Sequence, residues 1–241
     1  MIRKARIIVI AMLLPTAAFG ADEWQNCLEK PEGQTTFGMK ACNAAEYDRL
    51  RPAIKSAYES EIARDAKNGN RLAAAQQAWE KFSLQACTYE YARGQNGSIS
   101  GVLSTGCLVE KARQRADQLG PSGMEKMSRY NPGTTEYKKC STDATKLGAC
   151  LSAALQRSDE LLNDAYRKRL AAASQNDKWI GKDNAGEQPS LVVAERAWIA
   201  FRDAQCGYLA AKQGGPNAKP TDLRCRLVMT EDRTRDLSSD P

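Results

Sequence analysis

The chain has 241 residues, 42% hydrophobic and 7% aromatic, with 35 basic against 29 acidic side chains, eight Cys and no His. That length makes one large domain or two small ones, and the missing His excludes Ser-His-Asp and Cys-His catalysis, His-bound zinc or haem, and the usual proton relay near neutral pH. The basic excess is spread along the chain without a run of five or six like charges, so the concentrated patch that nucleic acid binding needs is absent.

The first element is an export leader. Arg3, Lys4 and Arg6 precede a continuous apolar run from Ile7 to Leu14, Pro15 breaks it, and Ala18-Phe19-Gly20 puts small residues before a cut ahead of Ala21. The run is far short of the roughly 20 residues that span a bilayer, and no later segment is long and apolar enough. The mature chain is therefore expected to be periplasmic or secreted, with no membrane span once residues 1–20 are removed. The leader holds three of the 35 basic residues and no acid, which leaves 32 basic against 29 acidic residues, a net +3.

Next comes a helix carrying Leu50, Ile54, Ala57, Tyr58 and Ile62 on one face, with Pro52 inside it expected to kink it or start a new helix there. Asn68-Gly69-Asn70 ends it with residues that tolerate positive φ. A second helix follows, with Leu72, Ala75, Trp79, Phe82 and Ala86 stepping by three and four. A loop from Arg93 to Gly106 then leads to a third helix expected to begin near Cys107. Gly120-Pro-Ser-Gly through Asn131-Pro-Gly-Thr-Thr reads as a linker that leaves the angle between its flanks unset.

Beyond the linker the chain repeats itself. Ala75-Gln-Gln-Ala-Trp79-Glu-Lys-Phe82-Ser-Leu-Gln-Ala-Cys87 matches Ala194-Glu-Arg-Ala-Trp198-Ile-Ala-Phe201-Arg-Asp-Ala-Gln-Cys206, with Tyr89 and Tyr208 each two residues after the Cys. Tyr58 lies sixteen after Cys42, as Tyr166 lies sixteen after Cys150. Leu155, Leu162, Tyr166 and Leu170 form the first stripe of the second copy, and Leu191, Ala194, Trp198, Phe201 and Tyr208 the second. The fold class that follows is all-α, as two tandem disulfide-braced three-helix units: residues 21–119 and 140–241, joined by the linker 120–139. Trp79, Phe82, Trp198 and Phe201 are the core anchors. Copy two carries an insertion around Gln175 to Pro189, rich in polar residues and expected as an exposed loop, with Trp179 on it as a candidate binding anchor.

All eight Cys lie in the mature part, which in an exported chain reads as four structural disulfides. No C-x-x-C occurs, which argues against a redox site or zinc ribbon; no metal or cofactor is expected. On helix lengths, Cys42 and Cys87 are offset by about 12 Å along antiparallel helices, beyond the roughly 7 Å reach of a disulfide. With Cys107 at the start of the third helix, the pairing expected is Cys27–Cys87, Cys42–Cys107, Cys140–Cys206 and Cys150–Cys225.

These features resemble the LprI-like family of exported bacterial domains. The resemblance rests on Cys42-Asn-Ala-Ala-Glu-Tyr47, the cores Ala78-Trp79-Glu-Lys-Phe82 and Ala197-Trp198-Ile-Ala-Phe201-Arg-Asp-Ala-Gln-Cys206, the loop Gly97-Ser98-Ile99-Ser100, and Gly106-Cys107-Leu108 leading into Arg113-Gln-Arg115-Ala-Asp-Gln-Leu119. Copy two departs in its loop, where Gly214-Gly215-Pro-Asn-Ala-Lys-Pro lacks the Ser-Ile continuation. The resemblance implies a binding protein rather than an enzyme, with a lysozyme or other peptidoglycan hydrolase as its protein partner and inhibition as its effect. The alternative is an envelope interaction or scaffold module without hydrolase inhibition. Gly97, Ser98, Ile99 and Ser100 are the candidate contact residues, on a loop a rigid unit could offer to an enzyme cleft at low entropic cost. The acidic groups Glu59/Glu61/Asp65 and Asp159/Glu160/Asp164 read as solvated helix faces. No catalytic pair of carboxylates stands out by spacing or by agreement between the copies.

Overall fold

The computed structural model describes residues 20–95, 97–120, 140, 146–180 and 186–239. These residues form helices joined by short turns, with no strand among them. The first copy comprises α1 (Gly20–Glu29), α2 (Thr36–Arg64), α3 (Gly69–Arg93) and α4 (Ser100–Leu119), and the second α5 (Leu147–Ile180), α6 (Glu187–Gln213) and α7 (Ala218–Ser238). The expected leader, 1–20, and the expected linker, 120–139, lie outside the described residues apart from Gly20 and Gly120.

Local chemistry sets the helix boundaries. Thr35 Oγ1 accepts a hydrogen bond from the Gly38 amide at 2.9 Å and so caps α2. That helix runs unbroken through Pro52, which is exposed, so the missing amide costs one bond without dividing the element. In copy two the carboxylate of Asp177, still on α5, accepts from the amides of Gly186, Glu187 and Gln188, each at 2.9 Å. These are free donors at the start of α6, so Asp177 closes the corner. The expected loop from Gln175 to Pro189 is thereby corrected: Gln175 to Ile180 extend α5, and Glu187 to Pro189 open α6.

The two stripes of apolar residues bury as single faces. Leu72, Ala75, Leu191 and Ala194 are fully inaccessible, and Trp79, Phe82, Trp198 and Phe201 are each at most 6% exposed. At roughly 1.5–3 kcal/mol for each large side chain removed from water, these four rings are the main contributors to the core. They do not form two cores. The rings of Phe82 and Phe201 stack across the copies with centroids 5.8 Å apart and planes 10° from parallel. One cluster then runs from Leu50 and Val109 in the first copy to Leu162 and Tyr208 in the second. The angle between the copies, which the linker alone leaves unset, is fixed by α3 packing on α6.

The disulfide pairing differs from expectation throughout. The bonds are Cys27–Cys42, Cys87–Cys107, Cys140–Cys150 and Cys206–Cys225, with Cα separations of 5.4–5.8 Å. The expected Cys27–Cys87, Cys42–Cys107, Cys140–Cys206 and Cys150–Cys225 fail because they place Cys107 and Cys225 at helix starts. In fact α4 begins at Ser100 and α7 at Ala218, so each Cys lies about two turns inside its helix. Across a short antiparallel corner that brings it level with the Cys on the preceding helix. Every disulfide therefore staples neighbours in sequence, 10 to 20 residues apart, and a loop of this size contributes about 3 kcal/mol in the chain-entropy model.

Candidate functional site

Two features could meet a partner: the corner between α3 and α4, and the seam between the copies. At the corner the chain turns from Gly94 to Ile99. A Cβ on Gly94 would lie 2.4 Å from Ser100 Oγ and 2.5 Å from its Cα, so only glycine permits the close approach, and Gln95 takes φ +55°. Amides of Gly97 and Ser100 bond back to the carbonyls of Gly94 and Gly97 at 2.9 and 3.1 Å. The Cys87–Cys107 disulfide clamps both arms. Gly97, Ser98 and Ile99 are exposed at its tip. Ser100, expected among the contact residues, is fully buried as the first residue of α4 and cannot touch a partner. No side chain among the described residues caps α4; its first turn is closed by backbone instead, the Ser100 amide on the Gly97 carbonyl and the Val102 and Leu103 amides on that of Ile99. Copy two builds its corner otherwise, with Gly214 and Gly215 at φ +62° and +55°.

Trp179 is 83% exposed near the end of α5, and Phe37 is 81% exposed at the start of α2. Glu61 is not on a solvated face: it is 4% exposed and sits in the seam. Asp159 bonds Arg202 at 3.1 Å and Asp164 pairs with Arg167, so these two carboxylates are engaged at the helix surface.

The seam is built by reciprocal contacts. Arg115, eight residues after Cys107, lies over Phe201 of the other copy at 5.6 Å, and Arg233, eight after Cys225, lies over Phe82 at 5.6 Å. Exchange of this kind is the signature of a two-fold arrangement. The arginines differ in what answers their charge. Arg115 is fully buried and donates to the amide oxygens of Gln76 at 2.9 Å and Gln205 at 2.8 Å, with Nη2 unpartnered among the described residues. Burial pushes its pKa down to about 9, which leaves it charged at neutral pH. Arg233 has a carboxylate instead: Glu195, at the position of Gln76, accepts from Arg233 Nε at 2.8 Å and again from Nη2.

The tyrosines after Cys87 and Cys206 differ in the same way. Tyr208 donates its hydroxyl to Glu61 Oε1 at 2.6 Å, and Lys212 and Arg64 pair with the same carboxylate. Burial pushes the Glu61 carboxyl up, but the bonds from Lys212 and Tyr208 and the nearby positive charges outweigh it, and the pKa falls below the ordinary value. Tyr89, 5% exposed, has no hydrogen-bond partner for its hydroxyl among the described residues. Burial pushes it up to about 12, against the pull of Arg169 and Arg93. Beside Tyr89 the seam opens into a cavity of about 240 Å³.

Sequence reasoning singled out the corner and Trp179 but missed the seam. The signal was available in the repeat: Glu61 lies nineteen residues after Cys42, and nineteen after Cys150 stands Arg169, a charge reversal at matched positions. Among the described residues no three Cys, Asp or Glu side chains converge to hold a metal ion, and no helix is long and apolar enough to cross a membrane.

Comparison with known proteins agrees with the two-copy reading. An uncharacterized protein of Rhizobium meliloti (strain 1021), R02472, is 33% identical over 95 residues, covering 38% of this chain and 68% of that one. The uncharacterized protein YecT of Escherichia coli (strain K12) is 28% identical over 102 residues, covering 40% of this chain and 63% of its own. In fold, a crystal structure of an uncharacterized protein from Burkholderia thailandensis superposes with a TM-score of 0.53 at 18% identity, over 92% of this chain and 98% of that one. The family described as lysozyme inhibitor LprI matches residues 27–119 and again 138–237, once for each half of the shared core, and the chain belongs to that family as two tandem copies.

Proposed function

We propose that the protein is exported by its leader and acts in the cell envelope as a binding protein that inhibits a lysozyme-type peptidoglycan hydrolase. The observation that carries this reading is the match of both copies to a family described by lysozyme inhibition. Four disulfides are consistent with an extracytoplasmic location.

The corner of copy one has the properties such an inhibitor needs. Glycosidases of this class place two carboxylates on either side of the bond they break. A plug must be narrow, rigid and free of negative charge. The tip Gly97-Ser98-Ile99 carries no acid, is clamped by Cys87–Cys107, and stands at the N-terminal, positive end of the α4 dipole. Little ordering is left to be done on binding, so less of the contact energy is lost. The mature charge of +3 gives no long-range attraction to a cationic lysozyme, and affinity then depends on contacts at the corner. Copy two lacks the Ser-Ile tip, which makes copy one the working copy in this reading.

Turbidity clearing of cell walls by a panel of lysozymes and bacterial muramidases tests it. Stoichiometric inhibition of one enzyme by the oxidised protein is expected, reduced tenfold or more by Ile99→Asp and lost on reduction and alkylation. No inhibition across the panel at tens of micromolar, where a useful inhibitor saturates, overturns it. The exposed Trp179 and Phe37 favour a second reading, an envelope binding module without hydrolase inhibition. In that case Trp179→Ala would abolish co-purification of an envelope protein while hydrolase rates stay unchanged throughout.

A further inference from the structure

The two ends of the seam are related by the repeat, yet only one is complete. At the Tyr208 end, a phenol, Lys212 and Arg64 share the Glu61 carboxylate. At the Tyr89 end the same phenol is present, and Arg93 takes the place of Lys212, six residues after the matching Cys. Where Glu61 would be, Arg169 stands. The carboxylate has been replaced by a second cation, and the phenol is left as a buried donor with no acceptor among the described residues.

The charges around this end are mostly answered: the buried Glu187 carboxylate, close enough to raise the Tyr89 phenol, accepts from Asn176 at 3.0 Å. Arg93 is held by Glu90 at 2.8 Å and Arg233 by Glu195. Lys111 lies 3.6 Å from the half-exposed Asp236, and Glu110 accepts from Gln114 at 2.7 Å. Among the described residues Arg169 donates to backbone carbonyls, those of Leu237 at 3.1 Å and of Ser239. Four cations, Arg93, Lys111, Arg169 and Arg233, line the same cavity of about 240 Å³ with Tyr89, against three carboxylates, Glu90, Glu110 and Asp236. A buried phenolic donor beside a guanidinium with no carboxylate partner among the described residues has the character of a binding site lacking its anion. A planar carboxylate suits it, since Arg forks match that group and the other end of the seam already uses one. The volume, below the range of drug-sized pockets, admits a group about the size of an acidic amino acid.

We propose that the seam cavity at Tyr89 binds the carboxylate of an outside ligand, with the Tyr89 hydroxyl and the Arg169 guanidinium holding it as Tyr208 and Lys212 hold Glu61. The ligand is a small carboxylic acid, either free or borne on an acidic residue of a peptide. This site is separate from the corner at Gly97–Ile99, and its occupancy does not depend on hydrolase inhibition.

Calorimetric titration of the full oxidised chain with glutarate and with an end-blocked Ala-Glu-Ala peptide tests the assignment, with glutaramide and Ala-Gln-Ala as neutral counterparts. Saturable one-to-one binding of a carboxylate, at least tenfold tighter than its neutral counterpart, is expected, and the tighter of the two acids identifies the source. Tyr89→Phe should weaken binding about tenfold with the thermal midpoint held, as for a lost hydrogen bond to a charge. Arg169→Gln should weaken it at least as much, and Arg169→Glu, which restores the arrangement of the other end, should abolish it. Lack of saturation at about 20 mM, far above a millimolar dissociation constant, would overturn the proposal. So would equal binding of the neutral compounds, or native affinity in Tyr89→Phe. A full-length Asp240→Asn chain should bind as the native chain does; a tenfold gain would mean that Asp240 fills the site, and the outside ligand would be withdrawn.

Discussion

The two copies share one core and one set of buried polar groups, and they part company in how those groups are answered. Copy two gives its buried arginine a carboxylate, Glu195, whereas Arg115 meets three neutral amides, Gln76 and Gln118 of its own copy and Gln205 of the other. One end of the seam gives its tyrosine a carboxylate, Glu61, and the other leaves Tyr89 without an acceptor among the described residues. Duplication preserved the apolar geometry, where volume is tightly constrained, and let the polar partners drift. The lesson is that a repeat is best read for its mismatches: matched residues mark the core, and mismatched charges mark where the copies have taken different work.

Mutations should break this comparison unevenly. The largest effect is expected at the buried ion pair, where Glu195→Ala leaves Arg233 to the more distant Asp236 carboxylate at 3.7 Å and should cost about 3 kcal/mol. Gln76→Ala removes only a neutral acceptor from Arg115 and should cost about 1–2 kcal/mol. Urea denaturation of the two variants side by side measures the gap, and equal losses would mean that the two arginines are not answered differently. Next comes Glu61→Gln, which removes a charge serving Tyr208 and Lys212 and should cost about 2 kcal/mol.

The same residue carries a pH signature. Its folded pKa lies below the ordinary carboxylate value of 4.5, so its stabilisation is present above that value and is lost as pH falls through the folded pKa. Glu46 behaves alike: burial raises it, but hydrogen bonds from Arg49 and Arg113 bring it below the same value. The native thermal midpoint should therefore fall more steeply below pH 4.5 than that of Glu61→Gln. The smallest contrast is between the phenols. Tyr208→Phe should cost about 1 kcal/mol and Tyr89→Phe nothing, since the latter removes a buried donor that makes no bond within the described chain. Differential scanning calorimetry would resolve that difference.

Much of the fold was legible in the sequence because helix periodicity is local: Leu72, Ala75, Trp79, Phe82 and Ala86 declare a buried face without reference to anything distant. What was not legible depended on where helices begin. Gly97-Ser98-Ile99-Ser100 has the composition of a loop throughout, but Ser100 already opens α4, and that shift of seven residues relative to Cys107, repeated between Ala218 and Cys225, reassigns the disulfides of both copies. The seam was hidden for a different reason. A Trp and a Phe on one stripe look the same whether they face their own unit or a second copy, and only the stacking of Phe82 on Phe201 reveals which.

The disulfide order has a consequence for how the molecule is made. Read from the N-terminus, the cysteines pair first with second, third with fourth, fifth with sixth and seventh with eighth. For a chain delivered N-terminus first into an oxidising compartment, each thiol meets its correct partner before the next pair emerges. Correct connectivity can then follow from timing alone, with no reshuffling and no proofreading by the finished fold. The four staples act as successive brackets, each closed before the next is opened.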